Sequence, residues 1–259
     1  MAYEQRHPYL PETVMITGAS GDFGKAFARR YADLGCKLIL VGRNAEKLAA
    51  LRDCLEVRVH ICAFDITDKQ AMIDAFHAIP AEFQAIDVLI NNAGLGLGLD
   101  PAYKCDIEDW ETMISVNNMA LVRMSRLVLE GMAARKKGHI VNIGSTAGNY
   151  PYPGGNVYCA TKAFVKQFSL SLRADLSGTN IRVTNIEPGM VETQFSTVRF
   201  KGDEDAARGV YANTVNIDAD DIAEAVVWST TLPPKMNVNR MEIMATVQSF
   251  GALTVERFD

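Results

Sequence analysis

Tyr158 and Lys162 stand four residues apart, a spacing that puts a phenol and an ammonium on one face of a helix. An unperturbed tyrosine titrates near pH ~10. A neighbouring ammonium favours the phenolate and draws that value toward operating pH. Such a phenol could give a proton to an alkoxide as a hydride arrives, or take one from an alcohol in the reverse direction. Ser145, thirteen positions earlier, could hydrogen-bond the same oxygen and hold it in place. A Tyr-x-x-x-Lys pair alone is common on helix surfaces; its combination with Ser145 is much less so.

These groups need a scaffold that brings distant segments to one edge. Ser145 follows a β-prone run at 139–143, and the stretch 158–177 reads as a helix. Other β-prone runs lie at 14–16, 37–41, 57–62, 87–90 and 181–186, with a weak one at 241–244. Helical spacing covers 25–34, 45–55, 110–135 and 220–228. Continuous apolar strands separated by helices imply a parallel sheet covered on both faces. Right-handed crossovers then give a doubly wound α/β Rossmann domain. No Pro/Gly/Ser-rich linker divides the chain, so residues 1–259 read as one dinucleotide-binding and catalytic domain. The irregular stretch after Pro188 suggests a substrate lid at about 190–216; the alternative is a disordered surface loop.

The first strand runs into Thr17-Gly18-Ala19-Ser20-Gly21-Asp22-Phe23-Gly24. A glycine-rich turn between strand and helix offers backbone N–H groups and a positive helix end to a pyrophosphate. After the second strand, Arg43 and Asn44 occupy the place where an acid would bind the ribose hydroxyls of NAD. A guanidinium there suits the 2′-phosphate of NADP(H), with Asn44 as a helper. Asp65 and Ile66 follow the third strand; Asn91, Ala93 and Gly94 follow the fourth. Strand C-terminal ends are where ligands sit in open α/β sheets.

Together these residues resemble the short-chain dehydrogenase/reductase superfamily, over nearly the whole chain. The resemblance rests on the turn at 17–24, Asn91-Asn92-Ala93-Gly94, Asn117, Ser145, Tyr158, Lys162, and Pro188-Gly189 with Thr193. It implies a tetrad of Asn117, Ser145, Tyr158 and Lys162. It also implies nicotinamide contacts from Pro188, Gly189, Val191 and Thr193. One departure is Asp22, where the family carries glycine; its carboxylate is expected to turn away from the pyrophosphate and cap the following helix. Longer stretches, including Gly144 to Gly148 and Val198 to Asp203, are similar to bacterial NADP-dependent 3-hydroxy acid dehydrogenases and to sulfoacetaldehyde reductases. That likeness implies a small substrate with an acidic head: malonic semialdehyde, serine or allo-threonine, or sulfoacetaldehyde reduced to isethionate. Arg199 in the lid suits a carboxylate or sulfonate. The alternative is a lid salt bridge to Asp203 or Glu204. Tyr150, Asn156 and Gln194 are further substrate candidates, with Tyr152 nearby.

Composition narrows the partners. A net charge of −5 argues against nucleic acid and anionic membranes as partners. Five cysteines without a C-x-x-C pair read as reduced thiols of a cytoplasmic protein. The scattered His7, His60, His77 and His139 give no metal spacing, and the N-terminus lacks the apolar run of a secretory signal. Extra apolar positions at Met119, Met124, Leu127, Phe164, Phe168 and Leu172 suggest a helix face buried in a homotetramer. A non-catalytic NADP(H)-binding protein is the reading from another class.

Overall fold

The computed structural model describes residues 9–249; His7 and the N-terminal stretch read for a leader lie outside them in whole or in part. Seven parallel strands lie in the order β3-β2-β1-β4-β5-β6-β7: β1 (Thr13–Thr17), β2 (Lys37–Gly42), β3 (Val59–Ala63), β4 (Val88–Asn91), β5 (Gly138–Ile143), β6 (Ile181–Pro188) and β7 (Arg240–Ile243). The order reverses beside β1, which places the β1 and β4 ends at the crevice where such sheets bind ligands.

Period-two alternation sorts the strand side chains between two faces. Val14, Ile16, Leu38 and Leu40 pack beneath α1 (Asp22–Asp33) and α9 (Ala219–Thr231). Met15, Ile39 and Leu89 pack beneath α3 (Lys69–His77) and α5 (Leu121–Arg135), against Met72, Met124, Val128 and Met132. Fully buried chains such as Leu89 and Phe27 stabilise the fold by about 1.5–3 kcal/mol each relative to exposure. Tyr31, which has no exposed surface, hydrogen-bonds Thr230 at 2.6 Å and ties α1 to α9.

Several elements differ from the sequence reading. The helix α3 was not expected; Asp68 caps it by accepting from the Ala71 N–H. α2 (Ala45–Arg52) stops short of residue 55, and β3 starts at Val59. The expected helix over 110–135 is three pieces: α4 (Ile107–Ile114), a π-helical turn at Ser115–Ala120, and α5. α6 (Asn156–Asp175) begins before Tyr158. The stretch 190–216, expected to be a lid, carries α7 (Phe195–Arg199) and α8 (Glu204–Gly209) rather than irregular chain throughout. A single bridge between Val191 and Ile217 closes its base.

The expected apolar surplus also divides. Met124 is buried in the core, and Leu127 and Leu172 pack against it. Met119 and Phe164 stay exposed, joined by Ile107 and Ile114, and Phe164 stacks on Phe168.

Candidate active site

The glycine-rich turn has its shape because two glycines have no substitute. Gly18 has φ +64°, a left-handed conformation that side chains disfavour. A Cβ on Gly24 would sit 2.3 Å from the Gly18 carbonyl oxygen. Thr17 knots the turn to β4: its hydroxyl donates to the Ile90 carbonyl and accepts from the N–H groups of Asn92 and Ala93. The Asn92 amide donates to the carbonyls of Thr17 and Gly18. A threonine ending a parallel strand just before a glycine was the available signal for Thr17, which sequence reasoning did not assign a role.

Not every expected cofactor residue turns to this edge. The Asn91 side chain points into the interior, donating to Ser125 at 2.9 Å and Asn142 at 2.8 Å, so only its main chain is at the strand end. Asn44 caps α2 by accepting from the Lys47 N–H, which engages its oxygen. Arg43 is exposed and, among the described residues, makes no ion pair within salt-bridge distance. Asp65 accepts from the Thr67 hydroxyl and N–H, which hold its carboxyl below the usual range, while Ile66 is core. Ser20 and Phe23 flank the turn, Phe23 packing 6.0 Å from Phe27. Asp22, expected to cap the following helix, does not. Gly21 is the residue preceding α1, and the Asp22 carboxylate instead accepts the Gln194 N–H at 2.7 Å.

Ser145, Tyr158, Lys162 and Asn117 do converge. β5 delivers Ser145, whose hydroxyl accepts from the Ala147 N–H. One face of α6 carries Tyr158 and Lys162, both buried. Lys162 Nζ donates to the Ile143 carbonyl at 2.9 Å. Asn117 lies in the π-helical turn, a distortion frequent at functional sites. Its amide group clasps Leu95 through both N–H and C=O and reaches Thr161 at 3.0 Å. Gly94 lets Asn117 and Lys162 approach together: a Cβ there would lie 3.3 Å from the Asn117 oxygen and 3.4 Å from Nζ. In this structure burial, rather than Lys162, dominates the influences on the phenol. Burial pushes Tyr158 up to about 12, and the opposing influences come from Arg199 and Ser145. Burial also lowers Lys162 to about 8. The arginine is the nearer cation to the ring, at 4.8 Å against 5.8 Å for Lys162.

Arg199 ends α7 inside an aromatic box. Its guanidinium lies 4.8 Å from the Tyr158 ring centre, 5.0 Å from Phe195 and 5.7 Å from Tyr152. Nη2 donates to the Tyr152 hydroxyl at 2.9 Å, and the buried Nε has no partner among the described residues. The alternative lid salt bridge is not formed: Asp203 caps α8 and Glu204 meets Arg208. Gly96 makes room, since a Cβ there would fall 2.8 Å from Nη2.

The other substrate candidates make contacts of their own in this structure. Asn156 braces the loop at 100–105 through the Asp100 carbonyl and Cys105 Sγ, and its oxygen accepts from the Val157 N–H. Gln194 contributes its backbone to Asp22. Tyr150 donates to Glu242 and lines a cavity of about 160 Å³ beside Tyr152. At the sheet edge, the Gly189 N–H donates to Ile243, Val191 is buried, and the Thr193 hydroxyl accepts from the Phe195 N–H. The Pro188 carbonyl accepts from the Ser145 hydroxyl at 3.4 Å.

Comparison with known proteins agrees with this layout. The chain is 53% identical over 245 residues to the NADP-dependent 3-hydroxy acid dehydrogenase YdfG of Salmonella typhi, covering 94% of this chain and 99% of the relative. It is 45% identical over 251 residues to sulfoacetaldehyde reductase 2 of Chromohalobacter salexigens, covering 96% of this chain and 100% of the relative. The closed form of a serine dehydrogenase complexed with NADP+ superposes with a TM-score of 0.93 at 51% identity, over 95% of this chain and all of that one. Residues 12–204 match the family model described as short chain dehydrogenase, and the chain belongs to that family.

Proposed function

We propose that this protein, an NADP-dependent oxidoreductase acting on CH–OH groups, reduces a small acidic aldehyde of the malonic semialdehyde type. In reverse it oxidises 3-hydroxy acids such as serine or allo-threonine. The observation that carries the choice of substrate is Arg199. It is a cation with no carboxylate partner among the described residues and an unpartnered buried Nε, set against the face of the Tyr158 ring. A substrate acid bound there would bring its neighbouring carbon toward the phenol. The similarity to a 3-hydroxy acid dehydrogenase and to a serine dehydrogenase supports the same class.

The turn fits a dinucleotide phosphate, because Gly18 and Gly24 leave the space that a Cβ would fill. Backbone N–H groups around Gly18, Ser20, Phe23 and Gly24 would hold the pyrophosphate, and Arg43 the 2′-phosphate. Asp65, Ile66, Ala93, Gly94 and the main chain of Asn91 would line the adenosine side, and residues 188–193 the nicotinamide end. When bound, the nicotinamide supplies or accepts the hydride. Tyr158, kept neutral by burial, donates its proton to the carbonyl oxygen, and Ser145 hydrogen-bonds that oxygen. Lys162 resupplies the proton, and Asn117 fixes the surrounding main chain. Lid closure over the substrate excludes water.

A sulfonate is the second reading, favoured by the Chromohalobacter relative and by the Tyr152 hydroxyl beside Arg199, which offers a further donor. A non-catalytic NADP(H)-binding role leaves the meeting of Ser145, Tyr158 and Lys162 without a purpose. The chain is read as a cytoplasmic homotetramer, with the exposed Ile107, Ile114, Met119 and Phe164 as the covered face. Among the described residues no helix is long and apolar enough to cross a membrane. The test of function is NADPH oxidation with malonic semialdehyde, sulfoacetaldehyde and propanal. The acidic aldehydes should lead; a preference for propanal refutes the acidic substrate.

A further inference from the structure

We propose that Asp22 is a positioning residue that seats the lid over the reacting centre from within the glycine-rich turn. Asp22 is the first residue of α1, yet it leaves its own helix uncapped. Its carboxylate accepts the backbone N–H of Gln194, 172 positions away, at 2.7 Å. Gln194 immediately precedes α7, a helix of five residues. The first and last residues of α7 both meet the same ring. Phe195 lies 5.6 Å and the Arg199 guanidinium 4.8 Å from the centre of Tyr158. The Asp22 hydrogen bond therefore ties the entry of the segment that carries both ring contacts to the glycine-rich turn.

The fasteners at the two ends of α7 differ. Beyond its far end, the Gly98 N–H donates to the Arg199 carbonyl and Lys201 pairs with Asp109. At its near end, the Ser196 hydroxyl meets the Tyr211 hydroxyl at 2.7 Å, Tyr211 donates to the Val191 carbonyl at 3.0 Å, and the Phe195 N–H reaches the Thr193 hydroxyl at a long 3.3 Å. These contacts stay within the 191–211 segment, whereas the Asp22 bond joins it to the glycine-rich turn. A glycine at position 22 would have no acceptor for Gln194. The α1 N-terminus also steadies the Asp22 carboxylate, because anions are favoured in a first helical turn. The same helix end would meet the cofactor pyrophosphate, so the carboxylate that seats the lid also sets the local charge at the phosphate site. Charge and acceptor can be separated. Asn keeps an oxygen acceptor and removes the charge; Gly removes both.

The effect on substrate rests on the proposed function, whereas the hydrogen bond does not. The first measurement is therefore hydrogen exchange at the Gln194 amide in ligand-free protein, for wild type, Asp22→Asn and Asp22→Gly. Loss of a partly exposed charge-assisted bond should speed exchange about three- to tenfold in Asp22→Gly, with partial restoration in Asp22→Asn. The second is steady-state reduction of malonic semialdehyde. KM should rise by a similar factor in Asp22→Gly, with a smaller change in kcat, and Asp22→Asn should recover most of the loss. NADPH should bind Asp22→Asn more tightly than wild type in a fluorescence titration. Unchanged Gln194 exchange in Asp22→Gly overturns the proposal. Faster exchange with an unmoved KM overturns the positioning role and leaves the reductase reading intact. If the wild type reduces no acidic aldehyde, the function is wrong, and Gln194 exchange still decides whether Asp22 holds the lid.

Discussion

Replacing Arg199 with Met keeps much of the aliphatic volume between Tyr152, Tyr158 and Phe195 and removes the charge. A charge-assisted hydrogen bond to a substrate acid contributes about 1.5–3 kcal/mol, equivalent to roughly 10- to 150-fold in affinity. A neutral aldehyde of similar size loses only packing and should change by about threefold or less, on the order of 0.6 kcal/mol. The direction of reaction matters. Arg199 also lowers the Tyr158 value, so its removal favours the neutral phenol still further. Reduction uses that neutral form and is spared; alcohol oxidation needs the phenolate and would suffer for any substrate. The clean assay is therefore NADPH-dependent reduction of malonic semialdehyde and propanal, read as the ratio of kcat/KM. The ratio should drop at least tenfold in Arg199→Met, mainly through KM. If both substrates lose the same factor, Arg199 only supports the aromatic box and the acid is held elsewhere.

Four further outcomes are expected. Tyr158→Phe should lower turnover about a hundredfold or more, as for loss of a general acid, with NADPH affinity nearly unchanged by titration; near-normal turnover in a folded variant refutes the assignment. Arg43→Asp should shrink or reverse the preference for NADPH over NADH in kcat/KM, because the new carboxylate repels the 2′-phosphate; an unchanged ratio means another group reads it. Reduction should decline as pH rises past about 8, where the buried Lys162 gives up its proton; a flat profile to about pH 10, the ordinary lysine value, would remove Lys162 from the proton path. Light scattering at micromolar concentration should give a tetramer, and a monomer would contradict the covered-face reading.

The parallel strands were legible because buried strands are continuous apolar runs, and the meeting of Ser145 with Tyr158 and Lys162 was legible because one follows a strand end and the others share a helix face. The hidden parts share a different physical character. α3 contributes Met72 as its only buried residue, so its apolar stripe is faint. α7 and α8 are five and six residues long, too short for a 3.6-residue period to register. The inward turn of Asn91 depends on Ser125 and Asn142, and the Asp22 partner comes from another end of the chain. Such pairings are decided by tertiary proximity, which local pattern does not encode. The unexpected order of cations at Tyr158 has the same origin. Lys162 is four residues from the phenol in sequence, but α7 brings Arg199 closer to its ring.

The Val191–Ile217 bridge gives this architecture a modular joint. The chain leaves and returns at these two residues, 26 positions apart in sequence. The Glu192 N–H adds a second clasp to the Ile217 carbonyl. An exchange of the intervening segment would therefore leave the sheet and its end-to-end spacing untouched. Lengthening such a closed loop is thermodynamically mild, since doubling it costs only about 0.6 kcal/mol of closure entropy. Grafting a foreign segment between Val191 and Ile217 is thus a route to new substrate scope that keeps Ser145, Tyr158 and Lys162, which lie outside it, unchanged in sequence. The constraint on any graft is local: it must return a backbone donor to Asp22 and something to fill the box now occupied by Arg199.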